Sequence, residues 1–303
     1  MLKKVLFWFF LFFVKVMQIF PKKLRRTYLF IVSRVIYFFA RKTNKIIKAN
    51  LDFVFDNKLS DEEIKEIQKY SYFNLNLWIL SLIENLTVSD EELKENVSIE
   101  NIRVIEKLKE EKKPIILISA HYGNMEMLGC YLNKFVTPIH QVARKSNFEE
   151  FDKFIVYSRE LSGSNIIFRS GAVKKLVKAL MKKEVVSLII DQNINSKDGT
   201  EVEFLGKKVN QTTTSATLSR KFDAYVVPVA IFNEENYKYR IKIYDAIKPI
   251  KTENEEEDLK IMSQLHANAI SAIISADPKQ WFWPHKRFKA HNKEIYEKNF
   301  NNK

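Results

Sequence analysis

The chain has 303 residues, 46% of them hydrophobic, with six Gly and seven Pro. That is enough for one large domain or two modest ones, with too little Gly and Pro for long flexible linkers. A single cysteine, Cys130, excludes an internal disulfide and fits a reducing compartment. The net charge of +13 is local: residues 1–51 hold twelve Lys or Arg and no acid, leaving 38 basic and 37 acidic side chains in the remaining 252. This argues against a nucleic-acid surface, because the basic excess sits beside ten Phe or Trp in the first 40 residues, a combination that suits lipid.

Val5 to Val14, VLFWFFLFFV, is an apolar run of ten residues before Lys15, whereas a membrane span needs about 20. Extending it to Phe20 takes in Lys15 and Gln18. Lys22, Lys23, Arg25 and Arg26 outnumber Lys3 and Lys4, so a spanning segment would leave the body in the cytoplasm. Tyr28 to Ala40 carries Arg34 at its middle and suits an interfacial helix. No small-residue cleavage site follows the apolar core, so residues 1–45 are expected to form an uncleaved anchor or hairpin.

Residues 46–112 form a helical region. Ser60 with Glu63, and Ser89 with Glu92, have capping-box spacing. Leu75 to Ile83 predicts a buried helical segment, and Asn101 to Lys112 a charged amphipathic helix ended by Pro114. From 113 to 292 the pattern alternates. Strands are predicted at 115–119, 136–142, 165–168, 185–190, 225–232 and 237–244, and helices at 124–133, 148–161, 171–183, 211–222 and 256–275. Residues 293–303 are a tail. Such alternation predicts an α/β domain, a mostly parallel sheet flanked by helices, behind an N-terminal membrane-anchoring helical segment.

Pro114 to Cys130, PIILISAHYGNMEMLGC, carries the chemistry. It reads as a buried strand, a tight turn and a helix start, with His121 at the mouth of the strand. Ligands bind at the carboxyl ends of strands in α/β sheets. On one continuous helix His121 and Glu126 would lie about 140° apart; with His121 in the turn they can meet. Glu126 would then fix the imidazole tautomer, and the helix N-terminus would help keep His121 neutral, ready to take a proton. His-x4-Glu spacing alone is a weak signal, and taken by itself it favours a capping His and a solvated first-turn Glu.

Other stretches leave alternatives open. Val185 to Gln192 ends in Asp191-Gln192, polar groups at another strand end or an Asx-type turn. Arg144 and Asn147 follow the strand ending near Val142, and Arg159 precedes Gly163. Arginines placed so suit phosphate or carboxylate groups, or surface ion pairs. QTTTSAT, 211–217, caps a helix or touches ligand. QWFWPHKRFK, 280–289, contacts lipid headgroups or seals the core. The scattered His residues and one Cys form no zinc spacing, so no metal is expected.

Taken in order, these stretches resemble the late acyltransferases of lipid A biosynthesis, the lauroyl/myristoyl family. The resemblance rests on the basic apolar N-terminus, His121-Tyr-Gly-Asn-Met-Glu126, Arg144-Lys-Ser-Asn147, Arg159 before Gly163, and Asp191-Gln192-Asn193. It continues through GTEVEFLG at 199–206, AYVVP at 224–228 and WPHKRFK at 283–289. It implies a glycerolipid-acyltransferase-like fold and O-acyl transfer at the cytoplasmic face of the inner membrane. The acyl chain would pass from acyl carrier protein to a hydroxyl of a phosphorylated glycolipid, a lipid A precursor. His121 would be the general base oriented by Glu126, and Arg144, Asn147, Arg159, Asp191 and Gln192 would bind substrate or shape the site. The acyl-carrier-protein thioester is a co-substrate and no cofactor is implied. Ala290-His291 stands where the family often continues Thr-Arg-Pro, which leaves room for another acceptor, such as a mannosylated phosphatidylinositol or a lysophospholipid. A non-catalytic membrane-surface protein is the competing class.

Overall fold

The computed structural model describes residues 2–146, 148–195 and 199–301. Two N-terminal helices, α1 (Leu2–Ile19) and α2 (Lys22–Phe39), are separated at Pro21, and α3 (Arg41–Val54) follows. The long α4 (Asp61–Glu84) opens on a complete capping box, with Ser60 Oγ accepting from the Glu63 amide and the Glu63 carboxylate accepting from the Ser60 amide. Ser89 caps α5 (Asp90–Asn96).

Next come β1 (Val97–Glu100), α6 (Arg103–Glu110), β2 (Ile115–Ser119), α7 (Met125–Phe135) and β3 (Ile139–Ala143). They are followed by α8 (Glu149–Glu160), β4 (Asn165–Phe168), α9 (Ala172–Met181) and β5 (Val185–Ile189). A hairpin of β6 (Gly199–Phe204) and β7 (Lys207–Thr212) leads to α10 (Thr214–Phe222), β8 (Tyr225–Asn233) and β9 (Tyr239–Ile243). The last helices are α11 (Glu255–Ala276) and α12 (Glu294–Asn301).

Seven strands form one sheet in the order β1-β9-β8-β2-β5-β3-β4. Only the β8–β9 pair is antiparallel, so the fold is the expected mostly parallel α/β sheet with helices on its faces. The central strand β2 is buried along its whole length, as befits a strand covered on both sides. Its alternate side chains divide between two cores. Ile116 and Ile118 pack with residues of α9 to α11, and Ile115 and Leu117 with residues of α4 to α7.

Two elements depart from the expected pattern. β1 lies in the region expected to be wholly helical; at four residues it is too short to show a period, and it exists because β9 offers a parallel edge. The β6–β7 hairpin is charged on its outer face and lacks a long apolar run, so alternation alone missed it.

The N-terminal helices pack on the body. Val14 and Met17 of α1 join Leu82, Ile83 and Phe154, and Arg25 of α2 pairs with Glu84 at 3.2 Å. No described helix is long and apolar enough to cross a membrane, and the described helices do not by themselves show the anchor or hairpin expected for residues 1–45. What α1 and α2 do present is an exposed apolar surface that includes Trp8, Phe9, Phe12, Ile31, Phe38 and Phe39. The tail is also held, since Tyr296 is buried and donates to Asn50 Oδ1 at 2.6 Å.

Candidate active site

β2 and β5 are parallel neighbours, with Ser119 opposite Ile189. Two residues further along each strand stand His121 and Asp191. The Ile190 amide donates to the Ser119 carbonyl at 3.1 Å, which carries the pairing past the strand ends. The two side chains meet there: His121 Nδ1 lies 2.8 Å from Asp191 Oδ1. Asp191 Oδ2 accepts from the His121 amide at 2.9 Å and from Trp281 Nε1 at 2.7 Å. A buried carboxylate with three donors around it is held firmly in one orientation.

Burial works against charge on both groups, but each outweighs it for the other. The charge and hydrogen bonds of His121, with the Trp281 N–H, hold the Asp191 carboxyl at about 2. Burial likewise disfavours imidazolium, yet Asp191 raises His121 above the ordinary histidine value. The sequence-based expectation that a helix N-terminus would keep His121 neutral is therefore overridden by the carboxylate. With Nδ1 facing Asp191, Nε2 is the basic nitrogen, and the Gln192 amide sits 3.4 Å from it.

Glu126 is not the hydrogen-bonded partner of His121. It lies in the first turn of α7, after Asn124, whose side chain caps the Met127 amide. There it receives Arg159 of α8 in a two-pronged pair, Nη2 to Oε1 at 2.6 Å and Nε to Oε2 at 2.9 Å. Bidentate geometry of this kind satisfies both charges. Glu126 still acts on His121 through space and raises it, while Arg159 lowers it.

The turn between His121 and α7 tolerates only glycine at 123. Gly123 has φ +53°, and a Cβ there would lie 2.0 Å from the Ile231 carbonyl oxygen. The Gly123 carbonyl accepts from Trp78 Nε1 at 2.6 Å and Asn74 Nδ2 at 3.0 Å. Trp78 and Phe282 place their rings beside the imidazole, with centroids 6.2 and 6.1 Å from it.

His121, Glu126, Arg144 and Arg159 line a cavity of about 220 Å3 between the sheet and helices α7 and α8. It runs from exposed Arg144 to buried Leu132 and Ile139. Of the predicted site residues, the structure thus gathers His121, Asp191 and Gln192 into one cluster, pairs Glu126 with Arg159, and sets Arg144 at the rim. Asn147 lies outside the described residues.

The segment 280–289 seals the core. Trp281, Trp283, Arg287 and Phe288 are all buried, and the Phe282 amide donates to the His121 carbonyl at 2.9 Å. Arg287 Nη1 donates to the carbonyls of Gln192 and Asn210, and Nη2 to Gln211 Oε1. Gln211, the first residue of the hydroxyl-rich run, is therefore structural. Sequence reasoning noted this aromatic segment but did not assign Trp281 to Asp191, nor Trp78 to the turn. Four Trp in 303 residues is an ordinary content, and no local pattern in the sequence signals either contact.

A strand-end histidine, its carboxylate and a cavity lead to what the chain is similar to. The family model described as bacterial lipid A biosynthesis acyltransferase matches residues 1–290. No curated protein matches the chain. The match spans the N-terminal helices, the sheet and the strand ends that carry His121 and Asp191, and the chain belongs to the bacterial lipid A biosynthesis acyltransferases.

Proposed function

We propose that this acyltransferase moves a fatty acyl chain from an acyl-carrier-protein thioester to a hydroxyl of a phosphorylated lipid A precursor, with His121 as the general base. The observation that carries the reading is the His121–Asp191 pair beside the cavity. The Nδ1–H donates a hydrogen bond to Asp191, so the Nε2 lone pair, with only the long 3.4 Å approach of the Gln192 amide, can take the proton of the acceptor hydroxyl as the oxygen attacks the thioester carbonyl. Collapse of the tetrahedral intermediate breaks the C–S bond, and the imidazolium returns the proton to the departing thiolate. No covalent acyl-enzyme is needed. Asp191 stabilises the imidazolium and fixes its tautomer. Glu126 holds Arg159, and Arg144 and Arg159 supply positive charge for phosphate or for the developing oxyanion.

The exposed apolar surface of α1 and α2, beside the basic N-terminal charge, supports seating in the cytoplasmic face of the inner membrane, where the acceptor lies. Such helices lie in the interface rather than across it.

The test is acyl transfer by membranes carrying the protein or its His121→Ala variant, supplied with acyl-carrier-protein thioesters of several lengths and a tetra-acylated lipid A precursor. Mass spectrometry should show one added acyl chain, reduced about 10²–10⁴-fold in the variant. Equal product from both proteins would remove His121 as the base. No product from any donor with folded wild-type protein would remove the proposed donor–acceptor pair.

A further inference from the structure

The segment around β4 and α9 carries a local excess of basic charge. Residues 161–183 contain six Lys or Arg and no acid, in a region whose overall charge is nearly balanced. The fold brings the start of this segment to the cavity. β3 and the edge strand β4 are parallel neighbours with Ala143 opposite Phe168, and the Arg169 amide donates to the Ala143 carbonyl at 2.9 Å. Arg144 and Arg169 therefore leave neighbouring strand ends side by side, both exposed. Lys145 lies over the Phe168 ring at 5.0 Å, and Lys174 and Lys175 are exposed on the first turn of α9. Among the described residues, no carboxylate lies within ion-pair distance of Arg144, Arg169, Lys174 or Lys175. Lys145 faces the acids at the start of α8, Glu149 among them, whereas Arg169, Lys174 and Lys175 lie beyond ion-pair reach of a carboxylate; like charges so placed repel one another, a cost offset when an acidic partner arrives. Arg144 and Phe168 also line the cavity that His121 lines, so the patch borders the exposed end of that cavity.

We infer that this basic surface, formed by the ends of β3 and β4 and the first turn of α9, docks the acidic carrier protein that delivers the acyl thioester. The inference rests on the acyl-transfer reading of the same site. A protein partner is favoured over a membrane because the apolar side chains that would enter lipid are gathered on α1 and α2, whereas Val173 is the large apolar residue exposed on this turn of α9. The carrier's acidic face would meet the cations while its acyl chain passes Arg144 into the cavity. Opposite charges at such a rim mainly raise the association rate, and salt weakens them.

The experiment measures binding of acyl carrier protein to the full chain and to R169E/K174E/K175E, at low and high salt, together with turnover on carrier-bound and carrier-free acyl-pantetheine thioesters. The expected result is at least about tenfold weaker carrier binding in the variant, a matching rise in KM for the carrier-bound donor, and unchanged turnover on the carrier-free donor. The neutral variant R169A/K174A/K175A should fall between, and its melting temperature checks the fold. Carrier binding that is absent in the wild type, or equal in wild type and both variants, overturns the inference. So does loss of anionic-vesicle binding with carrier binding intact, which would assign the patch to the membrane. A wild type that binds carrier but transfers no acyl group from either donor sinks the acyl-transfer reading and leaves the docking surface standing.

Discussion

Two charged pairs border the same cavity, and they are built in opposite ways. His121 and Asp191 come from the ends of adjacent parallel strands and meet through the register of the sheet. Glu126 and Arg159 come from two helices and meet as a bidentate ion pair. The first has a nitrogen left over for chemistry. In the second both Glu126 oxygens are occupied, so it is suited to holding charge in place. Proximity along the chain is a poor guide to which groups cooperate: Glu126 is five residues from His121 and bonds elsewhere, while Asp191 is seventy away and bonds directly.

Changing each pair separately sharpens this contrast. The largest effect is expected from Asp191→Asn, which keeps the shape and removes the charge. Turnover should fall about 10²–10⁴-fold. Because Asp191 raises His121, its loss should also lower the His121 pKa. The rate rises with pH as His121 becomes neutral, so the acid limb of the kcat/KM profile should move to lower pH. A variant with normal turnover, or an acid limb moved upward, would count against Asp191 as the orienting carboxylate.

Arg159→Met should act on stability first. It strands the buried Glu126 carboxylate, and breaking a buried pair costs about 3–5 kcal/mol; one-fifth exposure of the Arg159 side chain places the expected loss at the low end. Denaturant midpoints measure it, and the double variant Glu126→Gln, Arg159→Met should recover most of the loss. If the single variant is as stable as the wild type, the pair is not holding the two helices together.

Trp281→Phe is the mildest change. It removes one donor from Asp191 Oδ2 and replaces the buried indole with a smaller aromatic ring. A loss of about 1.4 kcal/mol of orientation is about tenfold in rate. The N–H points its positive end at the carboxylate, so without it imidazolium is favoured and the acid limb should move to higher pH, opposite to Asp191→Asn. A purely structural tryptophan would lower the amount of folded protein and leave the pH profile where it was.

Local signals in the sequence determined much of this molecule. The apolar run before His121, Gly123 at the turn and Asn124 at the helix start make a strand, turn and helix from residues close in the chain. Ser60 and Glu63 start α4 for the same reason: capping is a contact over three residues, and its chemistry is visible in the side chains. The alternation of apolar strands with amphipathic helices implied a parallel sheet, since neighbouring parallel strands need such crossovers. Tertiary structure alone decided which carboxylate serves His121. That choice depends on β5 lying beside β2 and on their register, and pairing of buried parallel strands is not written in the period of either one. The short β1 needed the edge of β9, and the partners of Trp281 and Arg287 needed the C-terminal segment to fold back over the strand ends. In each case the interaction that stabilises the residue is supplied by a part of the chain that local propensity cannot see.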